Sequence, residues 1–352
     1  MDLSTWGFIN SFGLFQTFYA TALKQSPSAV SWIGSVQIFV PFLIGSFSGR
    51  ALDAGFFRLT FVIGAIIQVL GLFMTSLCKE YWQVFLAQGI CVGIGNGLVF
   101  VPAVALCSTY FLKHRGLALG VAASGSATGG LVYPAIAESL LPKVGFGWTV
   151  RVMGFLMTAT MVLSVVFLRT HLPPRKSGPI VEWAAFTEPP YALFAAASFL
   201  FFWALYIGFY YVGLRLPAFP FAFDPSRLLT SNLGSFAKST LHAPQSTSIS
   251  LLLTMNGVGL PSRLISNYLA DKYFGPLNLI ILGAAGSAAI MYSWIAVYSA
   301  AGMWIFSIMY GIFAAAMQGL FPATLASLTN DPKVSPGIES QYQYGNREVE
   351  LT

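Results

Sequence analysis

The residue with the most distinctive chemistry in this sequence is Arg263, which lies in a long apolar run that carries no other charge before Asp271. A charged side chain placed in hydrocarbon is costly, so its presence there marks a functional position by default. A guanidinium that faces a central cavity would bind a carboxylate or another anionic group through two parallel hydrogen bonds. The competing interpretation is that Arg263 reaches a polar interface about two turns farther along the same helix.

Three neutral polar residues in similar apolar surroundings are further candidates for a binding cavity. Asn256 lies two turns before Arg263 on a related helix face, and Asn96 lies in the small-residue stretch GIGNG. Tyr206 shares a helix face with two other aromatic residues, an arrangement that suits either packing or stacking on a ligand. The simpler interpretation of each amide is a hydrogen bond to a neighbouring helix. We predict a substrate-binding set of Arg263, Asn256, Asn96 and Tyr206.

Two charged turns at the ends of apolar runs are candidates for a gate. Arg50, Asp53 and Arg58 follow one run, and Asp271 and Lys272 follow another in an equivalent pattern. Each apolar helix closes on an acidic residue, and a tight turn leads into the next helix. That charged turns of this kind hold helix ends together in one conformation is what the family resemblance given below implies. The simpler interpretation is that these charges only fix the orientation of the chain in a membrane.

The elements that must position these residues are membrane helices. Of the 352 residues, 56% are hydrophobic and 9% are charged, whereas a soluble domain carries about 25% charged residues. A span takes about 20 apolar residues, and runs of this length do not alternate as barrel strands do. Ten runs qualify: 5–23, 30–49, 57–77, 82–106, 115–137, 147–168, 190–213, 248–269, 277–297 and 301–326.

Lysine and arginine are concentrated in alternate connections, which predicts that these connections and both chain termini are cytoplasmic. The segment 214–247 is then external. The connection 169–189 carries several prolines and charges, so we predict that it links two halves of the protein. The N-terminal half is 1–168 with six helices. The C-terminal half is 190–330 with about four helices, followed by a polar cytoplasmic tail at 331–352.

Several other classes of protein find no support in the sequence. It contains no Walker-type phosphate loop, no spacing of histidine and cysteine that suits a metal, and no Ser/His/Asp set in one place. We therefore predict no enzyme, no catalytic residue, no metal and no cofactor. The net charge of +6 is spread singly between apolar runs, which indicates topology and not a nucleic-acid partner.

Five stretches of the sequence form a recognisable pattern. They are NSFGLFQTFY at 10–19, WIGSVQIFVPFLIGSFSGRALDAGFFR at 32–58, LAQGICVGIGNGLVFVPAVALCSTYFLKHRGLALGVAASGSATGG at 86–130, LLTMNGVGLPSRLISNYLADKYFGPLN at 252–278 and YGIFAAAMQGLFPATLASLT at 310–329. With these stretches the chain resembles the major facilitator superfamily, and in particular its fungal monocarboxylate-transporter-like branch. The resemblance covers most of 1–213 and 234–330.

The resemblance implies an all-α integral membrane protein with two parallel six-helix halves around a central site. This sequence departs from the family at several positions. The segment 214–233 interrupts a family-like run, and only Asp2 remains where the family has an acidic Asp-Gly-Gly motif. A polar tail stands in place of the last two helices of the family, so about ten membrane helices are expected in this chain. Animal members carry an aspartate four positions before the arginine, where this chain has Gly259.

The resemblance therefore implies a secondary transporter of a small organic anion, a monocarboxylate or a related metabolite, which works by alternating access in a lipid bilayer. Protons are the candidate coupling ion, but Gly259 leaves facilitated diffusion equally open. Two alternatives remain: a riboflavin or secondary-metabolite transporter of the same family, and a truncated membrane protein that does not transport. The plasma membrane is the expected location, with the vacuolar membrane as the alternative.

Overall fold

The computed structural model describes residues 1–111, 115–170, 186–187, 189–211, 245–293, 297 and 300–328, and these contain helices but no strand. The helices are α1 (Asp2–Asn10), α2 (Phe12–Ala22), α3 (Pro27–Asp53), α4 (Phe57–Thr75), α5 (Tyr81–Val84), α6 (Val92–Tyr110), α7 (Arg115–Phe167), α8 (Pro189–Tyr211), α9 (Gln245–Leu269), α10 (Pro276–Ser293) and α11 (Ala300–Leu328). Two π-helical segments, π1 (Phe85–Cys91) and π2 (Ala270–Phe274), follow α5 and α9. The predicted all-α membrane fold is confirmed.

The described parts of all ten predicted apolar runs lie largely on these helices, and the ends of the runs 190–213 and 277–297 fall outside the described residues. By length and composition, six of the described helical segments suit a membrane span. Their outer faces carry large apolar side chains, of which Trp32, Phe155 and Ile305 are examples with about 60% of their surface exposed. A soluble protein rarely shows so much apolar surface, whereas lipid tails solvate it well.

Two interruptions of the helices follow from single residues. The run 5–23 is broken at Ser11, whose hydroxyl donates to the carbonyl of Gly7 at 2.8 Å. The runs 115–137 and 147–168 are separated only by Gly145, which has φ 75° and ψ 174°. Glycine adopts this backbone conformation without a steric penalty, so it ends the first arm of α7 and starts the second.

The N-terminal half has one continuous core of aromatic and branched side chains. Phe8, Phe15 and Tyr19 of the first two helices are about 1% exposed and pack with residues of the second arm of α7. In the described part of the C-terminal half, the buried side chains form two smaller clusters, one around Phe306 and one around Leu320. Among the described residues, the first half therefore has the larger continuous core.

The first arm of α7 joins the two halves by very close helix contacts. A Cβ added at Gly120 would lie 2.7 Å from the Cβ of Asn267 on α9, and one added at Gly130 would lie 2.5 Å from Oδ1 of Asn256. On its other side α7 meets α1, where a Cβ at Gly129 would overlap the backbone. Small residues at these positions let helix backbones approach each other in a membrane.

Several predicted segments fall largely outside the described residues. They are the linker 169–189, the external loop 214–247 and the tail 331–352. The domain boundaries drawn at these segments stay predictions.

The close contact of α7 with α9 predicts a measurable cost for one added methyl group. Gly120→Ala would force the two helices apart, because the nearest atom belongs to the rigid stem of Asn267. We expect the free energy of unfolding in detergent to fall by about 1–3 kcal/mol. Gly13→Ala is the matched control, since a Cβ there meets nothing within 4 Å. Equal effects of the two substitutions would contradict the close contact.

Candidate functional site

A mostly apolar cleft lies between the two halves. Side chains from α1, α3, α6, α7, α8 and α11 line it, and its open space, including the part open to solvent, is about 620 Å³. Sites that bind small organic molecules commonly have apolar walls with a few polar groups. The cleft therefore has the apolar character of a binding site for an organic molecule.

Aromatic rings form the walls of the cleft. The ring centroid of Trp6 lies 5.2 Å from that of Phe100 and 5.8 Å from that of Phe42. On the side of the second half, Phe202 lies 6.1 Å from Phe42 and 5.0 Å from Phe321. These tilted and edge-to-face pairs hold the rings in place, at about 0.5–1.5 kcal/mol for each pair beyond simple burial. The aromatic wall thus extends continuously from one half to the other.

Four polar side chains interrupt this apolar lining: Asp2, Asn10, Ser126 and Gln318. All come from helices at the centre of the bundle, α1, α7 and α11. Asp2 is 7% exposed and Asn10 is 4% exposed, so water reaches little of either side chain. Polar groups that are few and held in fixed positions orient a ligand more than they add to its affinity.

Arg263 lies directly behind the wall of the cleft and is 1% exposed. Its Nη1 donates to the carbonyl of Ala123 at 2.9 Å and to the hydroxyl of Ser126 at 2.5 Å, and its Nη2 donates to Oε1 of Gln318. Ala123 and Ser126 belong to the first half, and Gln318 to the second. The guanidinium therefore joins the two halves, and its side chain does not reach out to a polar interface.

The residues that supply these three acceptors, Ala123, Ser126 and Gln318, also line the cleft. A ligand in the cleft would therefore meet Ser126 and Gln318 before it met the guanidinium. A direct bond between Arg263 and a substrate would require one of these side chains to turn away. The predicted binding role of Arg263 stays a prediction, with this geometric condition attached.

The other predicted binding residues lie elsewhere in the bundle. Asn256 is 2% exposed, and its Nδ2 donates to the carbonyl of Leu252 at 3.0 Å within α9. Asn96 is 1% exposed on α6. Within the described chain, neither amide is among the residues that line the cleft. Tyr206 belongs to α8, but its side chain lies outside what the structure describes.

Sequence reasoning did not find most of the cleft. Asp2 precedes the first apolar run, so the sequence suggests only a charge that flanks a membrane helix. Its acidic side chain beside the start of a helix is the signal that could have identified it as a candidate. The aromatic residues Phe42, Phe100, Phe202 and Phe321 lie in apolar runs that hold many similar residues. No spacing in the sequence separates rings that face a cleft from rings that face lipid.

A second contact between the halves lies at the predicted gate. The carboxylate of Asp271 accepts hydrogen bonds from the backbone N–H groups of Gly116 at 3.0 Å and Leu117 at 2.7 Å. These residues begin α7, where N–H groups lack partners within the helix and the helix dipole favours a negative charge. The small size of Gly116 leaves room for the carboxylate. Asp271 therefore ties π2, which directly follows α9, to the start of α7.

The remaining residues of the predicted gate make local contacts or are exposed. Lys272 donates to the hydroxyl of Tyr268 at 3.0 Å, and this hydrogen bond raises the pKa of Lys272. Asp53 and Arg58 are exposed at the corresponding turn of the first half, and Arg50 is half-buried. The gating role of the whole set stays a prediction, and Asp271 is the member with a bond between the halves.

Two halves built of apolar helices, with a central cleft between them, define a membrane carrier. The family profile described as the Major Facilitator Superfamily matches residues 3–335 of this chain. The chain belongs to the Major Facilitator Superfamily, and it is a multi-pass membrane transporter. The resemblance seen in the sequence is confirmed at the level of the superfamily.

Individual relatives agree with this assignment. An MFS-type transporter of Gibberella zeae is 44% identical over 329 residues, which cover 94% of this chain and 70% of the relative. The Agnestins efflux protein AgnL12 of Paecilomyces divaricatus is 33% identical over 317 residues, or 89% of this chain and 68% of that protein. The crystal structure of the human organic anion transporter MFSD10 (TETRAN) matches with a TM-score of 0.64, covering 92% of this chain and 83% of that chain. Its 13% identity shows a common fold only.

Removal of the charge at position 263 should weaken the association of the two halves. Arg263→Met keeps most of the side-chain volume but leaves Ser126 and Gln318 without their donor. We expect the free energy of unfolding in detergent to fall by about 1.5–3 kcal/mol, the usual contribution of hydrogen bonds to a charged group. Lys143→Met, which changes an exposed cation at the end of the first arm of α7, is the control. Unchanged stability of Arg263→Met would contradict the bridging role.

Removal of the Asp271 carboxylate should open the cleft to reagents. We expect Asp271→Ala to raise the labelling rate of a cysteine at position 119, which lines the cleft, by about tenfold with a membrane-impermeant maleimide. Tenfold corresponds to about 1.4 kcal/mol, near the lower limit for hydrogen bonds to a charged group. The native residues Cys78, Cys91 and Cys107 would first be changed to serine.

Lys272→Ala is the control for this measurement, because Lys272 bonds within its own turn. If both variants raise the rate equally, the effect belongs to the turn as a whole and not to the bond between Asp271 and α7.

Proposed function

We propose that this chain exports an aromatic, largely apolar organic metabolite from a fungal cell by alternating access. The observation that carries the proposal is the aromatic wall of the cleft, formed by Trp6, Phe42, Phe100, Phe202 and Phe321. Such a surface binds flat rings and apolar chains by burial and by edge-to-face contact. A two- or three-carbon acid would leave most of this surface without a contact.

The outward direction is supported by the relatives. AgnL12 is named an efflux protein for agnestins, and the chain matches 68% of its length. Export of a metabolite points to the plasma membrane as the location. The coupling ion, if there is one, and the chemical identity of the metabolite stay open within this proposal.

A small organic anion such as a monocarboxylate is the second candidate substrate. The observation that favours it is the guanidinium of Arg263 directly behind Ser126 and Gln318. Two features argue for the aromatic metabolite instead. Nη1 and Nη2 of Arg263 already donate to protein acceptors. The carboxylate of Asp2, which also lines the cleft, offers an anion no hydrogen-bond donor.

The proposal predicts different efflux rates for two probes in yeast cells that lack their own drug exporters. Cells that express the chain should lose preloaded emodin, a flat trihydroxyanthraquinone, faster than cells with an empty vector. Their loss of radiolabelled lactate should match that of the vector cells. Phe202→Ala should slow emodin efflux by about tenfold, because removal of a ring from the wall costs roughly 1.4 kcal/mol or more.

Phe199→Ala is the matched control, since Phe199 lies on the same helix and is 63% exposed. Faster lactate efflux with unchanged emodin efflux would favour the small-anion transporter. No acceleration of either probe, in a chain that reaches the membrane folded, would support the non-transporting alternative.

A further inference from the structure

We propose that the carboxylate of Asp2 determines the specificity of the cleft, and that it binds a neutral O–H or N–H group of the substrate. The proposal rests on the function proposed above and adds to it the chemical class of the cargo. The substrate would then be an aromatic metabolite with at least one phenol, alcohol or amide donor, directed toward α1.

The first support is the position of Asp2 in the cleft. It lines the cleft together with Trp6, which is one helical turn farther along α1. Its stem is fixed by the first arm of α7, where a Cβ added at Gly125 would lie 3.3 Å from the Cβ of Asp2. Since Asp2 is 7% exposed, the carboxylate is held against the cleft and not in bulk solvent.

The second support is an acceptor that the protein does not use. Among the described residues, Oδ1 of Asp2 is buried and has no hydrogen-bond partner. Buried polar atoms without a partner are uncommon, because the loss of hydration is not compensated. Rotation of the carboxylate about its Cβ–Cγ bond would bring Oδ1 to the cleft, where a donor on a bound molecule would supply the missing hydrogen bond. A bond to a charged acceptor is stronger than one between neutral groups.

The hydroxyl group of Ser126, which lies beside Arg263, already takes part in two hydrogen bonds. Ser126 accepts from Nη1 of Arg263 and donates to the carbonyl of Ala123 at 2.8 Å. Oε1 of Gln318 accepts from Nη2 of the same guanidinium. Each of these two oxygens therefore already accepts a hydrogen bond, whereas Oδ1 of Asp2 accepts none among the described residues. A donor on the substrate would be drawn to Asp2.

The charges around Asp2 favour a neutral donor over a cationic one. The guanidinium of Arg263 interacts electrostatically with the carboxylate. The positive charge of Arg263 thereby offsets the negative charge of Asp2. A substrate ammonium group would bring a further, unbalanced positive charge into the same apolar region, where such a charge is costly. A phenol, an alcohol or an amide N–H adds a hydrogen bond without adding charge.

A site that hydrogen-bonds a substrate hydroxyl rejects an analogue without it, because the protein group is then buried and unpaired. The experiment therefore compares 1-naphthol with 1-methoxynaphthalene, which share the same rings and differ in one donor. Binding of each probe to the purified chain in lipid nanodiscs is measured by equilibrium dialysis. We expect the wild-type chain to bind 1-naphthol at least tenfold more tightly than 1-methoxynaphthalene.

Asp2→Leu should remove this preference selectively. Its affinity for 1-methoxynaphthalene should stay within twofold of the wild-type value, while its affinity for 1-naphthol falls to that of the ether. Asp2→Asn keeps an acceptor oxygen without the charge, so it should retain part of the preference. Glu138→Leu, which removes an exposed carboxylate on α7, should keep the full preference.

The outcomes separate this proposal from the proposed function. Saturable and equal binding of both probes to the wild type would overturn the role of Asp2 and leave the aromatic cleft intact. A full preference that persists in Asp2→Leu would also overturn it, and so would equal weakening of both probes, which indicates a structural role only. If neither probe binds the wild type saturably, the aromatic cleft itself is wrong and both proposals fall.

Discussion

The structure depends most on the close contact between the first arm of α7 and α9. In a bilayer, apolar side chains gain little by leaving lipid for another helix, so packing of backbones and hydrogen bonds must hold the halves together. Gly120 and Gly130 permit that approach, because any side chain there would collide with α9. Asp271 and Arg263 then add hydrogen bonds from one half to the other along the same contact.

The buried charge of Arg263 explains the arrangement of the cleft wall. A guanidinium in an apolar region must find acceptors, and they come here from α7 and α11. The residues that accept these hydrogen bonds also line the cleft. The need to pair the charge of Arg263 therefore determines which polar groups lie on this side of the site. The aromatic rings occupy the rest, and Asp2 on α1 faces the cleft from the first half.

The helices could be predicted from the sequence, whereas most of the cleft could not. Apolar length alone located all ten runs, because the bilayer sets that length. Arg263 and Asp271 also stood out, since charges are rare in such runs. The aromatic residues of the cleft did not stand out. Phe202 faces the cleft and Phe199 faces outward, yet the surroundings of both residues are apolar. In a soluble protein a polar outer face would have told them apart. Asn256 and Asn96 do not line this cleft, and a polar residue in a membrane helix can also serve helix packing, so their binding role stays a prediction.

The glycine contacts of α7 restrict how the two halves can move. Backbones that meet at Gly120 and Gly130 cannot slide lengthwise past α9, since the side chains of Asn267 and Asn256 stand in the path. Rolling of one helix on the other about this line would keep both glycine contacts. The line of contact between α7 and α9 can then act as a fixed pivot. The two halves would separate first on one side of this line and then on the other. A carrier built in this way converts a small rotation at its centre into a larger displacement at both membrane surfaces.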